Sequence, residues 1–222
     1  MKITIINGSP HKKGNTMQVI KKIESLFGKK ILFTYLNLFN HDIPYCKGCL
    51  QCVNKGIELC PHYTQMKPIL QQLHASNGII IGTPVYIDQV TGIVKNFFDH
   101  LVYAVHRPPF MRKYAFIVVT ANGSGLKETT EYLRYSLTKM GFFVVSRLSL
   151  LTPSIHDSLK TNEKKIIEKT NSFKEYLKNK KKYQPIMKDV IYFNIMKYLI
   201  ANILNKSKDY EYWKRENLLN QP

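Results

Sequence analysis

The sequence predicts an α/β protein built on a doubly wound, five-stranded parallel sheet in the order 2-1-3-4-5, with a C-terminal helical extension. Three observations carry this prediction. Short β-branched runs alternate with stretches of helical periodicity over most of the chain. Two of those runs, Gly78-Ile79-Ile80-Ile81 and Ala115-Phe116-Ile117-Val118-Val119, are continuously apolar, as strands covered on both faces are. Parallel neighbours also need right-handed crossovers, which leaves few topologies, and 2-1-3-4-5 is the simplest for five βα units.

The strands are expected at residues 2–6, 30–36, 78–82, 113–120 and 142–150. Between them lie apolar stripes at helical spacing. The first is Val19, Ile20, Ile23, Leu26 and Phe27, and the second is Met66, Ile69, Leu70 and Leu73. The third is Val94, Phe97, Phe98 and Leu101, and the fourth runs from Tyr132 and Leu133 through Leu137 to Met140. Ile166, Ile167, Phe173 and Leu177 form the fifth. Residues 1–182 are therefore expected to form the domain, and residues 183–222 the extension. Within the extension, Pro185 can occupy the first position of a helix. Residues 186–204 are then apolar almost all round but carry Lys188, Asp189, Asn194, Lys197 and Asn202. These interruptions speak against a membrane span and for packing on the domain or a contact between copies.

The 222 residues suit one domain with an appendage, and 44% hydrophobic content supports a real core. A net charge of +18 raises the question of nucleic acid. The lysines are dispersed, however, and no zinc-finger, homeodomain or RNP pattern accompanies them, so a solvated face is expected and no nucleic-acid partner. The chain opens directly into a strand-like run without a secretory pattern, which leads to the expectation of a cytoplasmic protein with reduced cysteines.

In an open α/β sheet, ligands bind beyond the carboxyl ends of the strands. Three loops fall there. Asn7-Gly8-Ser9-Pro10-His11-Lys12-Lys13-Gly14-Asn15-Thr16 puts hydroxyls, glycines and lysines at a helix N-terminus, where backbone N–H groups and the helix dipole favour a phosphate. Thr83-Pro84-Val85-Tyr86 offers a stiff backbone and an aromatic face for a planar ring. Ala121-Asn122-Gly123-Ser124-Gly125 lets the backbone approach a heterocycle closely. Each loop read alone is an ordinary turn; their coincidence at one sheet edge is the informative feature.

These residues also resemble a family. Asn-Gly-Ser-Pro followed by Gly-Asn-Thr, then Thr-Pro-Val-Tyr and Thr-Gly-x-x-Lys-x-Phe-x-Asp, is similar to the NADPH-dependent FMN reductases of the flavodoxin-like superfamily, over residues 1–150. The resemblance implies that Ser9, Lys12, Gly14, Asn15 and Thr16 hold the FMN phosphate. It implies that Thr83, Pro84, Val85 and Tyr86 border the isoalloxazine, with Asn122 and Gly123 near its pyrimidine edge. Lys95 and Asp99 belong to the helix after the flavin loop, and the Arg that usually follows that Asp is His100 here.

The cysteines read Cys46-x2-Cys49-x2-Cys52-x7-Cys60 after the second strand. Compact thiolate runs of this kind suit an iron–sulfur cluster. An all-cysteine zinc site and free thiols stay open beside it. The arrangement is similar to that of iron–sulfur flavoproteins, a branch of the same superfamily, which implies a [4Fe–4S] cluster beside FMN. His11, His41 and His62 read as partly exposed loop histidines, and no side chain is assigned an acid–base role. The expected function is FMN-dependent oxidoreduction with NAD(P)H as donor and a small molecule or a protein as acceptor. A non-enzymatic FMN electron carrier is the alternative, and a homodimer or homotetramer is the expected assembly.

Overall fold

The computed structural model describes residues 1–28 and 30–220. The chain runs β1 (Lys2–Asn7), α1 (Asn15–Ser25), β2 (Leu32–Asn37), a short helical turn α2 (Gln51–Asn54), α3 (Tyr63–His74) and β3 (Gly78–Pro84). It continues through α4 (Gly92–Asp99), α5 (Tyr103–His106), β4 (Tyr114–Ala121), α6 (Leu126–Lys139) and β5 (Phe143–Leu151). After β5 come α7 (Ile155–Thr161), α8 (Glu163–Leu177), α9 (Met187–Asn202) and α10 (Lys208–Arg215). The five strands form one sheet in the order β2-β1-β3-β4-β5, every pairing parallel.

The two apolar runs are its central strands, and alternation sends their side chains to opposite faces. Ile79, Ile81, Ile117 and Val119 pack with Phe97 of α4 and Leu133 of α6 on one side. Ile80, Phe116 and Val118 pack with Ile20 of α1, and with Ile166 and Phe173 of α8, on the other. Each fully buried side chain of this size contributes about 1.5–3 kcal/mol, so both faces hold the sheet. Three strand starts differ from expectation, that of β4 by one residue, at Tyr114 and not Lys113. Ile31 N–H closes a turn onto Gly28 O, and β2 begins only at Leu32. Gly141, at φ +96°, turns the chain ahead of β5, which begins at Phe143.

The extension returns over the domain. Tyr183 stacks on Phe143 with centroids 4.3 Å apart, and Arg134 of α6 pairs with Asp189 of α9 at 2.9 Å. Ile186 caps α9, which leaves Pro185 one residue outside the helix and not at its first position. Ile200, Trp213 and Leu218 form a small separate core between α9 and α10. The outer face of α9 leaves Met187, Ile191, Ile195 and Tyr198 exposed. Among the described residues, no helix is long and apolar enough to cross a membrane. Gln221 and Pro222, the end of the expected extension, lie outside the described residues.

Candidate functional site

All three loops open at the carboxyl edge of the sheet. The loop after β1 closes on itself: Gly14 N–H donates to His11 O at 3.0 Å, and His11 N–H donates to the buried Ser9 Oγ at 3.2 Å. Gly14 then caps α1, so Asn15 and Thr16 open the helix, where backbone N–H groups have no intrahelical acceptor. Their side chains turn inward. Asn15 Nδ2 donates to Thr152 O at 2.9 Å beyond β5, and Thr16 Oγ1 lies 2.7 Å from Thr120 Oγ1. Lys12 stays exposed. What this helix end offers an anion is therefore amide hydrogens, a dipole and a nearby ammonium.

The loop after β3 makes a two-residue reversal in which Tyr86 and Gln89 pair through their backbones. Ile87 and Asp88 both take left-handed conformations, at φ +49° and +56°. A β-branched residue there is strained, and Ile87 is also 98% exposed, so burial does not hold it in place. Asp88 is tied down by Ser124, whose Oγ donates to its carboxylate at 2.8 Å. Gly125, at φ +81°, lies so close that a Cβ would fall 2.6 Å from Asp88 Cα. Tyr86 is 48% exposed, and Asn122 and Gly123 are exposed in the loop after β4. Thr83 is buried, and its Oγ1 accepts from Thr91 N–H at 3.4 Å. Thr91 Oγ1 in turn donates to Gly8 O at 2.8 Å, tying the start of α4 to the loop after β1. Pro84 ends β3, and Val85 N–H donates to Thr120 O at 2.8 Å.

The cysteines form a second centre against the other end of α4. Cys46, Cys49, Cys52 and Cys60 line one small cavity together with Lys47, His62 and His100. Cys49 is exposed, whereas Cys52 on α2 is 7% exposed. Burial pushes the Cys52 thiol up from its ordinary range, and the nearby Cys60, Cys46 and Cys49 add to the shift. Asn96, buried on α4 but outside its apolar stripe, anchors the loop: its Nδ2 donates to Ile43 O and Pro44 O, each at 3.1 Å, and its Oδ1 accepts from Cys46 N–H. His62 is not the partly exposed loop residue expected but is buried against His100, Nδ1 to Nε2 at 3.0 Å. His100 Nδ1 donates to Asn96 O at 2.9 Å, which makes its Nε2 the acceptor and His62 Nδ1 the donor. Burial, then the neighbouring His100 and Lys47, lower the His62 pKa from its ordinary value. Among the described residues, no three His, Cys, Asp or Glu side chains converge as a single metal ion requires.

Sequence reasoning found the three loops and the four thiols, quoted Thr91 in the motif without a role, and missed Asp88, Asn96 and Arg107. Arg107 donates from Nη2 to Cys52 O at 2.6 Å and from Nη1 to Val53 O at 2.9 Å. No spacing signal singled out Asn96, which lies outside the Val94, Phe97, Phe98 and Leu101 stripe and shows its burial only in the structure.

The chain matches two relatives over most of their length and its own. It is 27% identical over 197 residues to an iron–sulfur flavoprotein of Clostridioides difficile, covering 87% of this chain and 86% of that one. An iron–sulfur flavoprotein of Archaeoglobus fulgidus is 26% identical over 225 residues, covering 99% of this chain and all of the relative. Among solved structures, an apo NADH:FMN oxidoreductase superposes with a TM-score of 0.58 at 16% identity, over 85% of this chain and 92% of that one. The sequence profile of the NADPH-dependent FMN reductases matches residues 1–157, the whole sheet and its loops included. The chain belongs to the NADPH-dependent FMN reductase family and is an FMN-dependent NAD(P)H oxidoreductase.

Proposed function

We propose that this oxidoreductase takes electrons from NAD(P)H at the carboxyl edge of the sheet and delivers them through a [4Fe–4S] cluster on Cys46, Cys49, Cys52 and Cys60. The observation that carries the reading is the position of α4. Its start is tied through Thr91 to the loop after β1, and its Asn96 holds the cysteine loop. Five residues of helix separate these anchors, about 7–8 Å.

FMN, when bound, supplies hydride acceptance and the release of electrons singly or in pairs. The residues present suit it. The amides of Asn15 and Thr16, with Lys12, bind the phosphate, and Ser9 and Gly14 shape that loop. Tyr86 offers its exposed face to the ring, flanked by Thr83, Pro84 and Val85. The backbone at Asn122 and Gly123 orients the pyrimidine edge. No side chain is asked to move a proton.

The four thiols suit a cluster better than one ion. A cluster spreads its cysteines over several irons and so does not require the convergence that a single zinc ion demands. Its positive irons would also relieve the mutual repulsion that four neighbouring thiolates experience. Electrons then leave one at a time to a small-molecule or protein acceptor, in the cytoplasm. An anaerobic absorbance spectrum, with iron and FMN quantified on the same sample, tests this. Flavin bands near about 375 and 450 nm with about four irons per chain are expected. Flavin with no iron, even after anaerobic reconstitution, would remove the cluster and leave a plain FMN reductase.

A further inference from the structure

The extension reaches the cysteine loop from behind. Arg107, directly after α5, is 9% exposed, and its guanidinium is divided between two elements. It donates to the carbonyls of Cys52 and Val53 in α2, and its Nη1 also donates to Asp209 Oδ1 of α10 at 2.7 Å. Asp209 is 6% exposed, and its other oxygen lies 3.2 Å from His106 Nδ1. From the same helix, Lys208 Nζ donates to Lys55 O at 2.6 Å, and Trp213 Nε1 donates to His106 O at 2.7 Å.

A one-turn helix cannot satisfy its own last carbonyls, and in α2 only Gln51 O accepts the closing backbone bonds of Lys55 and Gly56. The planar guanidinium fork meets two of the remaining carbonyls, Cys52 O and Val53 O, at once. A buried guanidinium needs a counter-charge, and Asp209 is the carboxylate that reaches it.

We propose that α10 is a latch on the cysteine loop, in which Asp209, acting through Arg107, is a positioning residue that holds α2 in the rotation that keeps the Cys52 thiol inside the cysteine cavity. The extension then helps to build the redox centre. The inference rests on the reading of the four cysteines as one site. Its first readout uses iron-free protein, so the latch and the cluster fail separately.

The test is the alkylation rate of each cysteine by iodoacetamide, read by peptide mass spectrometry on full-length, FMN-loaded, iron-free protein. Asp209→Asn is expected to raise the Cys52 rate about tenfold or more through local opening, with the already exposed Cys49 unchanged and FMN retained. Asp209→Glu is expected to restore part of the protection. Trp213→Phe, which removes a bond of the same helix without touching Arg107, is expected to leave Cys52 protected. If Asp209→Asn does not fold, Arg107→Lys decides instead: it keeps the charge but loses the fork, and Cys52 should be exposed. In the reconstituted protein, iron loss to a chelator should follow the same order. Unchanged Cys52 protection in a folded latch variant would overturn the proposal. So would equal exposure in Trp213→Phe, because that would mean general loosening.

Discussion

At Gly125 the backbone conformation and the packing make the same demand. The residue sits at φ +81°, and any Cβ would strike Asp88 and Val85. Gly125→Ala is expected to cost about 2 kcal/mol or more and to weaken FMN binding, because the loops after β3 and β4 can no longer close on each other. A thermal melt with an FMN titration checks both effects. Tyr86→Ala should leave stability nearly unchanged, since the ring is half exposed, and weaken FMN by up to about tenfold, the worth of one aromatic stack. Unchanged affinity and potential would remove Tyr86 from the site. The glycines and the tyrosine were legible because their residue types alone limit what they do. Asp88 was not, since its role depends on Ser124 arriving from the loop after β4.

Among the elements, α4 carries the most consequence. Asn96→Leu keeps an apolar side chain at a buried position but strips partners from Ile43 O, Pro44 O and Cys46 N–H, which should cost about 2–4 kcal/mol. The loss should appear as faster hydrogen exchange in the cysteine loop, with the sheet protected as before. On α6, the Arg134 guanidinium beside Glu131 holds its carboxyl below the ordinary 4.5. A depressed carboxyl stabilises the fold fully above about pH 4.5 and loses that contribution as pH falls through the lowered value. Glu131→Gln should therefore lower the melting temperature slightly at pH 7 and flatten the acid limb, the two profiles converging as pH falls through the lowered value. The effect is a few tenths of a kcal/mol, because Glu131 is half exposed. The helix stripes were legible from spacing. The faces of α9 were not: a helix apolar nearly all round does not say which side meets the domain, and Phe193 stacking on Trp213 settled it.

At the scale of the molecule, strand order followed from local rules because two central strands were apolar throughout and right-handed crossovers left few topologies. The long-range ties from the extension to Arg107 and the cysteine loop had no local pattern to announce them. The exposed apolar face of α9 leads us to expect a homodimer. Light scattering on the protein and on a Met187→Glu/Ile195→Glu variant should show a dimer and a monomer; a monomeric parent at micromolar concentration would contradict the expectation. The central claim is that FMN at the carboxyl edge of this sheet is reduced by a nicotinamide. Anaerobic stopped-flow mixing of FMN-loaded protein with NADPH, and separately NADH, tests it most directly. Rapid bleaching of the flavin band near about 450 nm by at least one of them is the expected result. A flavin that dithionite bleaches but neither nicotinamide touches would contradict it, and would make the protein an electron carrier.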